Sequence, residues 1–116
     1  MREKLRDRGR LEHILQAISN ISTFLEDKTA EDFLMDQMLY FAVVKNMEII
    51  GEASYMLTHE FKENHPKTSW KDIINMRHIL VHGYYQVDSR IVWQTIVNDL
   101  PLLKTQIADY LLEFGE

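Results

Sequence analysis

Between Thr29 and Asn64 the chain contains no proline, and its apolar residues recur with a helical period on more than one side. Phe33, Leu34, Met38, Phe41, Val44, Met47, Ile50, Met56 and Leu57 form one broad face, while Leu39, Val43, Ile49 and Ala53 fill more of the circumference. A helix that is apolar beyond a single stripe is buried on more than one side. The pattern therefore predicts a helix over about residues 30–61 that is central in a bundle and also shared with a second subunit. A four-helix bundle of this size has little room to bury one helix completely, so both conditions are expected together.

The neighbouring segments fit an all-helical chain. Leu11, Ile14, Leu15, Ile18, Ile21 and Leu25 lie at helical spacing, which predicts a first helix over about Arg2–Leu25 with one apolar stripe. Thr29 with Asp32 three residues on reads as a capping box in which Asp replaces the usual Glu. Residues 64–68 form a loop, because Pro66 disfavours helix at His65. Ser69 with Asp72 gives another cap signal and starts a short helix over Trp70 to Val81 or His82. Gly83 is placed to end that helix in a left-handed conformation. Tyr84 to Val87 would turn, and Asp88 or Ser89 would cap a fourth helix with Ile91, Val92 and Ile96 on its apolar side. Pro101 predicts a break or kink before a last helix that runs to about Phe114. Short connections make neighbouring helices antiparallel, so the fold class is an all-α, up-and-down bundle of four or five helices.

Composition narrows the functional classes. A chain of 116 residues forms one domain, here read as residues 1–116. Gly and Pro, at 4 and 2 residues, are too scarce for a turn-rich β architecture. A formal charge of −5 argues against a broad basic surface for nucleic acid, so any such contact must be local. With zero Cys there are no disulfides and no thiolate metal sites. Residues 1–10 are mostly charged with no apolar run behind them, which predicts no secretory signal and a cytoplasmic chain. No apolar stretch is long enough for a membrane span.

The chemistry concentrates in Arg77-His78-Ile79-Leu80-Val81-His82-Gly83-Tyr84. Arg77 is a permanent cation whose planar donors fit a phosphate. His82 exchanges a proton near neutral pH. Together they are a minimal kit for breaking a phosphodiester without a metal. One group takes the proton of a ribose 2′-hydroxyl, a cation stabilises the crowded phosphorus, and an acid protonates the leaving 5′-oxygen. On a regular helix Arg77 and His82 stand about 140° apart, a poor geometry for gripping one phosphate. Unwinding at His82, or a second subunit supplying its own copy, would repair it. His78 and His82 are four apart and share a face, so His78 or the partner's His82 can fill the remaining proton role.

Other readings of these residues stand beside this one. Arg77 and His82 also suit the carboxyl end of a helix, where cations favour the dipole. The His78/His82 pair has the spacing of half a metal site, but no third ligand is evident in the sequence. Glu48 and Glu52 sit on an otherwise apolar helix beside Gly51, and Glu52 is expected either to pair with Arg77 or to face solvent. Trp70 and Trp93 read as core or interface anchors, with base stacking as the alternative. Tyr84 and Tyr85 either stack, accept a modification, or pack over a cleft mouth. The 6 methionines read as core filler or a subunit contact. His13, His59 and His65 read as surface residues, and the charged start of the first helix as a solvated face or an aid to RNA docking.

The central segment resembles the signature of HEPN-domain proteins, specifically the HepT-like ribonuclease toxins: Arg, four residues, His, one residue, Tyr. Asn46-Met47-Glu48-Ile49-Ile50-Gly51-Glu52-Ala53 is similar to the long-helix signature of that branch. Val92-Trp93-Gln94-Thr95-Ile96 followed by Asp99-Leu100-Pro101-Leu102-Leu103 is similar to its carboxyl-terminal half. The resemblance implies a HEPN-type bundle, a homodimer with both motifs facing one cleft, and metal-independent endoribonuclease activity on transfer or messenger RNA with no cofactor. It implies Arg77 and His82 as catalytic residues; His78 and Glu52 are read as supporting them from the spacing and charge considered above. It also implies a type VII-like toxin–antitoxin system. In it a small nucleotidyltransferase antitoxin AMPylates Tyr84 using ATP. The residue after the arginine is often Asn in that branch and is His78 here, which leaves the catalytic pair intact. The alternative is a non-catalytic nucleotide- or substrate-binding companion of a nucleotidyltransferase.

Overall fold

The computed structural model describes residues 2–83 and 86–114, with side chains described from Arg6 onward. The described residues form six helices and no strand: α1 (Arg2–Phe24), α2 (Ala30–Met35), α3 (Gln37–Met56), α4 (His59–Asn64), α5 (Trp70–His82) and α6 (Ser89–Leu112). The all-α bundle expected from the apolar periodicity is present. Helix α3 is its axis, packed on α1 along one side and on α5 along another, while α6 lies against α1 and α2 bridges α3 and α6. The stripe Leu11, Ile14, Ile18 and Ile21 of α1 is fully or almost fully buried against Val43, Met47 and Ile50 of α3. Each such side chain contributes about 1.5–3 kcal/mol relative to an exposed position.

The long second helix expected over residues 30–61 is three helices, and each interruption has a local cause. Asp36 adopts an extended conformation (φ −109°, ψ 101°), and its carboxylate accepts the Leu39 N–H at 3.1 Å. It thus caps α3 more favourably than it would continue α2. Thr29 forms the anticipated capping box: its hydroxyl accepts from Asp32 N–H, and the Asp32 carboxylate accepts from Thr29 N–H. The hydrogen bond from the Thr29 backbone holds the Asp32 carboxyl below the usual carboxylate range. At the other end Leu57 and Thr58 are both extended, so α3 stops at Met56 and α4 starts at His59.

That second interruption is stabilised from a distance. Asp7 continues the buried stripe of α1 and is itself 3 % exposed. Its carboxylate accepts the Thr58 N–H at 2.8 Å and the Thr58 hydroxyl at 2.7 Å. The Thr58 hydroxyl in turn accepts the Phe61 N–H at 3.1 Å. A buried carboxylate is tolerable only with such partners, and helix starts supply donors that lack intrahelical acceptors.

Three further expectations change. Helix α6 runs unbroken through Pro101. Val97 and Pro101 are both exposed, so the carbonyl that loses its N–H partner faces water and the break is not required. Gly83 ends α5 at φ −124°, outside the left-handed region, with its N–H donating to Ile79 carbonyl at 2.8 Å. Ser69 precedes α5 without a side-chain cap bond. The buried neighbour Thr68 instead ties this loop to α6, through Gln106 Oε1 at 2.7 Å and the Tyr110 hydroxyl at 2.6 Å.

Asp7→Ala removes the carboxylate and leaves the Thr58 donors without their partner. Denaturant unfolding is expected to show a loss of about 1–3 kcal/mol, with the α-helical far-UV signal of the folded state retained.

Candidate functional site

The position of Arg77 follows from a bare stretch of backbone on α3. A Cβ built on Gly51 would stand 2.1 Å from Arg77 Cβ and 2.8 Å from its Cγ. Only a residue without a side chain lets α5 approach here. Glycine inside a helix costs about 1 kcal/mol relative to alanine, so its presence is explained by the close approach rather than by helix propensity.

The next residue on α3 then takes hold of the guanidinium. Arg77 Nη2 lies 3.1 Å from Glu52 Oε2, with the two side chains 35 % and 52 % exposed. This is the pairing considered from the sequence. A half-exposed pair of this kind contributes at most about 1 kcal/mol to stability. Its consequence is orientation: Glu52 fixes the fork, and the remaining N–H groups are left for another anion.

Around this pair lies a cleft of about 210 Å³ whose walls include Arg10 and His13 of α1, Lys45, Glu48 and Glu52 of α3, and Arg77 of α5. Arg10 and His13 are three residues apart and flank the buried stripe of α1. The sequence suggested a solvated face there and treated His13 as a lone surface residue. No signal within α1 reveals that this flank looks across α3 toward Arg77; that is a property of helix packing.

His82 occupies the last turn of α5 with its side chain exposed, and it is not a wall of the cleft that holds Arg77. Its ring centroid is 4.6 Å from that of His78, also exposed. The two imidazoles share a face, as their spacing requires, while Arg77 points to another. Within one chain the arginine and the histidine therefore serve different sides of α5. Among the described residues no group of three or more His, Cys, Asp or Glu is arranged to hold a metal ion. Tyr84 and Tyr85 lie outside the described residues.

The remaining candidates sort by packing. Trp70 is buried and Trp93 half-buried against Phe33, both as anchors of the core. His65, expected at the surface, is stacked on Phe61 at 4.0 Å, with its ring nitrogens 2.8 Å from Phe61 carbonyl and 2.7 Å from Glu113 Oε1. His59 is exposed and pairs with Glu63. Met47 is core, but Met35 and Met38 are 81 % and 84 % exposed, next to exposed Leu34 and Phe41. This apolar surface borders a second groove of about 430 Å³ between α3, α5 and the start of α6, which Glu48 also lines. No helix among the described residues is long and apolar enough to cross a membrane.

Known proteins resemble this chain over most of its length. A family model described as "Ribonuclease HepT-like" matches residues 14–109. A protein of Thermococcus cleftensis named "Probable ribonuclease HepT" is 44% identical over 94 residues, covering 81% of this chain and 86% of that one. A protein of Caldanaerobacter subterraneus named as a candidate RNase is 43% identical over 101 residues, covering 87% of this chain and 90% of its own. In Methanocaldococcus jannaschii a protein named for a gamma-glutamylcyclotransferase and a candidate RNase is 39% identical over 106 residues, 91% of this chain and 48% of that one. No solved structure matches the chain significantly.

Gly51→Ala tests the contact that places Arg77. Although alanine favours helix, the added methyl is expected to push α5 away, and thermal or denaturant unfolding should show a net loss of about 1–3 kcal/mol.

Proposed function

Because the chain belongs to the HepT-like ribonuclease family, we propose that it is a metal-independent endoribonuclease that cuts transfer or messenger RNA. The observation that carries this reading is the half-exposed guanidinium of Arg77, held at 3.1 Å by Glu52 inside a cleft that contains further cations. Arg77 and His82 are the catalytic pair, and Glu52 and His78 support them. An imidazole takes the proton of the ribose 2′-hydroxyl. The 2′-oxygen bonds to phosphorus, and the bond to the 5′-oxygen breaks. A second imidazole, His78 or the partner's His82, protonates that leaving oxygen. The products are a 2′,3′-cyclic phosphate and a 5′-hydroxyl. Arg77 stabilises the charge that builds on the phosphoryl oxygens, an effect of preorganised donors.

The reading requires a homodimer. Arg77 and His82 face different sides of α5, so one chain does not close both around a single phosphate. Two chains related by a two-fold axis do so when the arginine of one meets the histidine of the other. The exposed Leu34, Met35, Met38 and Phe41 support such a contact, since apolar surface of this kind marks interaction sites.

In this proposal the protein is the toxin of a type VII-like toxin–antitoxin system. Its antitoxin is a minimal nucleotidyltransferase that transfers AMP from ATP to Tyr84, in the cytoplasm. Tyr84 stands two residues beyond His82. A bulky anionic adduct at that point would compete with RNA phosphate for the arginine. A second reading, a non-catalytic nucleotide-binding companion of a nucleotidyltransferase, is favoured by the −5 formal charge and by the separation of Arg77 from His82 within one chain.

Purified protein is expected to cut RNA in the presence of EDTA, and His82→Ala to slow cleavage by roughly 10²–10⁴-fold, the usual contribution of a positioned acid or base. Cleavage by the His82→Ala protein at the wild-type rate would remove His82 from the mechanism. Tight nucleotide binding with RNA left whole would select the second reading. Incubation with a cognate nucleotidyltransferase antitoxin and ATP should add AMP mass to the peptide that contains Tyr84, and Tyr84→Phe should abolish the addition.

A further inference from the structure

We propose that the cleft across α3 is a track for the RNA backbone, in which Arg10 and Lys45 bind phosphates next to the one held by Arg77; this rests on the ribonuclease reading. The placement is set by helix geometry. Lys45, Glu48 and Glu52 recur at three and four residues along α3, forming one ridge between α1 and α5. Arg10 borders that ridge from α1 and Arg77 from α5, and all line the same cleft of about 210 Å³.

Charge separates this cleft from the rest of the molecule. Three fixed cations, Arg10, Lys45 and Arg77, face two carboxylates, Glu48 and Glu52, before any charge on His13 is counted. The chain as a whole carries −5. Among the described residues the ion pairs are His59–Glu63, His65–Glu113, Arg77–Glu52 and Arg90–Asp88. Arg10 and Lys45 belong to none of them, so their charges are available to a ligand. An acidic protein that handles a polyanion must concentrate its contacts, and here uncommitted cations adjoin the arginine of the motif.

The chemistry of the walls also selects the part of RNA that is held. A volume of about 210 Å³ is below the roughly 300–1,000 Å³ of pockets that enclose small molecules. The cleft suits a chain passing over it. Among the described residues Ile49 and Ala53 are its apolar walls, and its only ring is His13. Without a Phe, Tyr or Trp platform there, it offers no strong base stacking of the kind that single-strand binders use. Its contacts go to phosphates, which position a strand without reading sequence. The track therefore supplies affinity and register, and base preference arises elsewhere in the dimer.

A 2′-O-methyl oligouridine, which has no free 2′-hydroxyl and is not cut, serves as the probe for binding to the full chain. For Arg10→Gln with Lys45→Gln, Kd at about 0.15 M salt is expected to rise tenfold or more. The slope of log affinity against log salt should fall by about 1.4, that is, about 0.7 for each single-strand phosphate that the protein no longer neutralises. With cleavable RNA the same protein should show a raised KM and a kcat within about twofold of wild type. Arg10→Lys with Lys45→Arg keeps the charges, and should hold both Kd and slope near wild type, which separates charge removal from misfolding. An unchanged Kd and slope in the glutamine variant, in a protein that still cuts RNA, would overturn the track and leave the ribonuclease reading standing. Weakened ATP binding with unaltered oligouridine binding would overturn it in favour of a nucleotide. If the wild-type chain neither cuts RNA nor binds the oligouridine, the ribonuclease reading itself fails.

Discussion

The contact between Gly51 and Arg77 organises the part of this molecule that carries the candidate site. Where α3 offers no Cβ, α5 comes close enough that an ordinary side chain would collide with the arginine stem. Everything near the motif inherits its position from that approach. Glu52 follows Gly51 directly and so meets the guanidinium; the ridge that contains Glu52 also carries Glu48 and Lys45; and α1, packed on the same helix, brings Arg10 and His13 to the other bank. A glycine that weakens one helix locally thus fixes the relation among three.

The same geometry explains why the two residues of the motif part company within one chain. The arginine stands on the flank of α5 that meets α3, while His78 and His82 stand on an open ridge. An Arg and a His five apart on a regular helix are turned well away from each other. Under the proposed function, catalysis by such a pair would belong to an assembly, in which the open ridge of one copy would complete the pocket of another. The acidic balance of the chain fits this arrangement: it restricts a polyanion to a few places where cations are gathered.

Much of the fold was legible because burial is periodic. The stripe of α1 and the ends of α5 follow from apolar spacing and from Pro66 and Gly83 as punctuation, although Gly83 serves without a left-handed backbone. The interruptions at Asp36 and Thr58 were hidden, because a single Asp or Thr inside an apolar run also suits the wet side of a continuous helix. Only the choice between capping and continuing separates the two outcomes, and for Thr58 that choice is made by Asp7, far away in sequence. Pro101 misled in the opposite direction, since its effect depends on whether the orphaned carbonyl meets water or protein. In the site, the pairing of Arg77 with Glu52 was readable from residue types, but the gathering of Arg10, His13 and Lys45 beside it was not. Their partnership is made by the crossing of α1 over α3, and no spacing along one helix encodes it.

The bond between Asp7 and Thr58 joins positions 51 apart in the chain. Such a bond closes a long loop, and the entropy cost of that closure is offset by the packing of α1 along α3. Helix α4 is too short to persist alone, being 6 residues long. It gains its direction when the amino-terminal end of α1 docks and latches the bend between Leu57 and Thr58. The amino-terminal end of α1, made first during synthesis, thus meets its partner at Thr58 only after the whole of α3 has followed it.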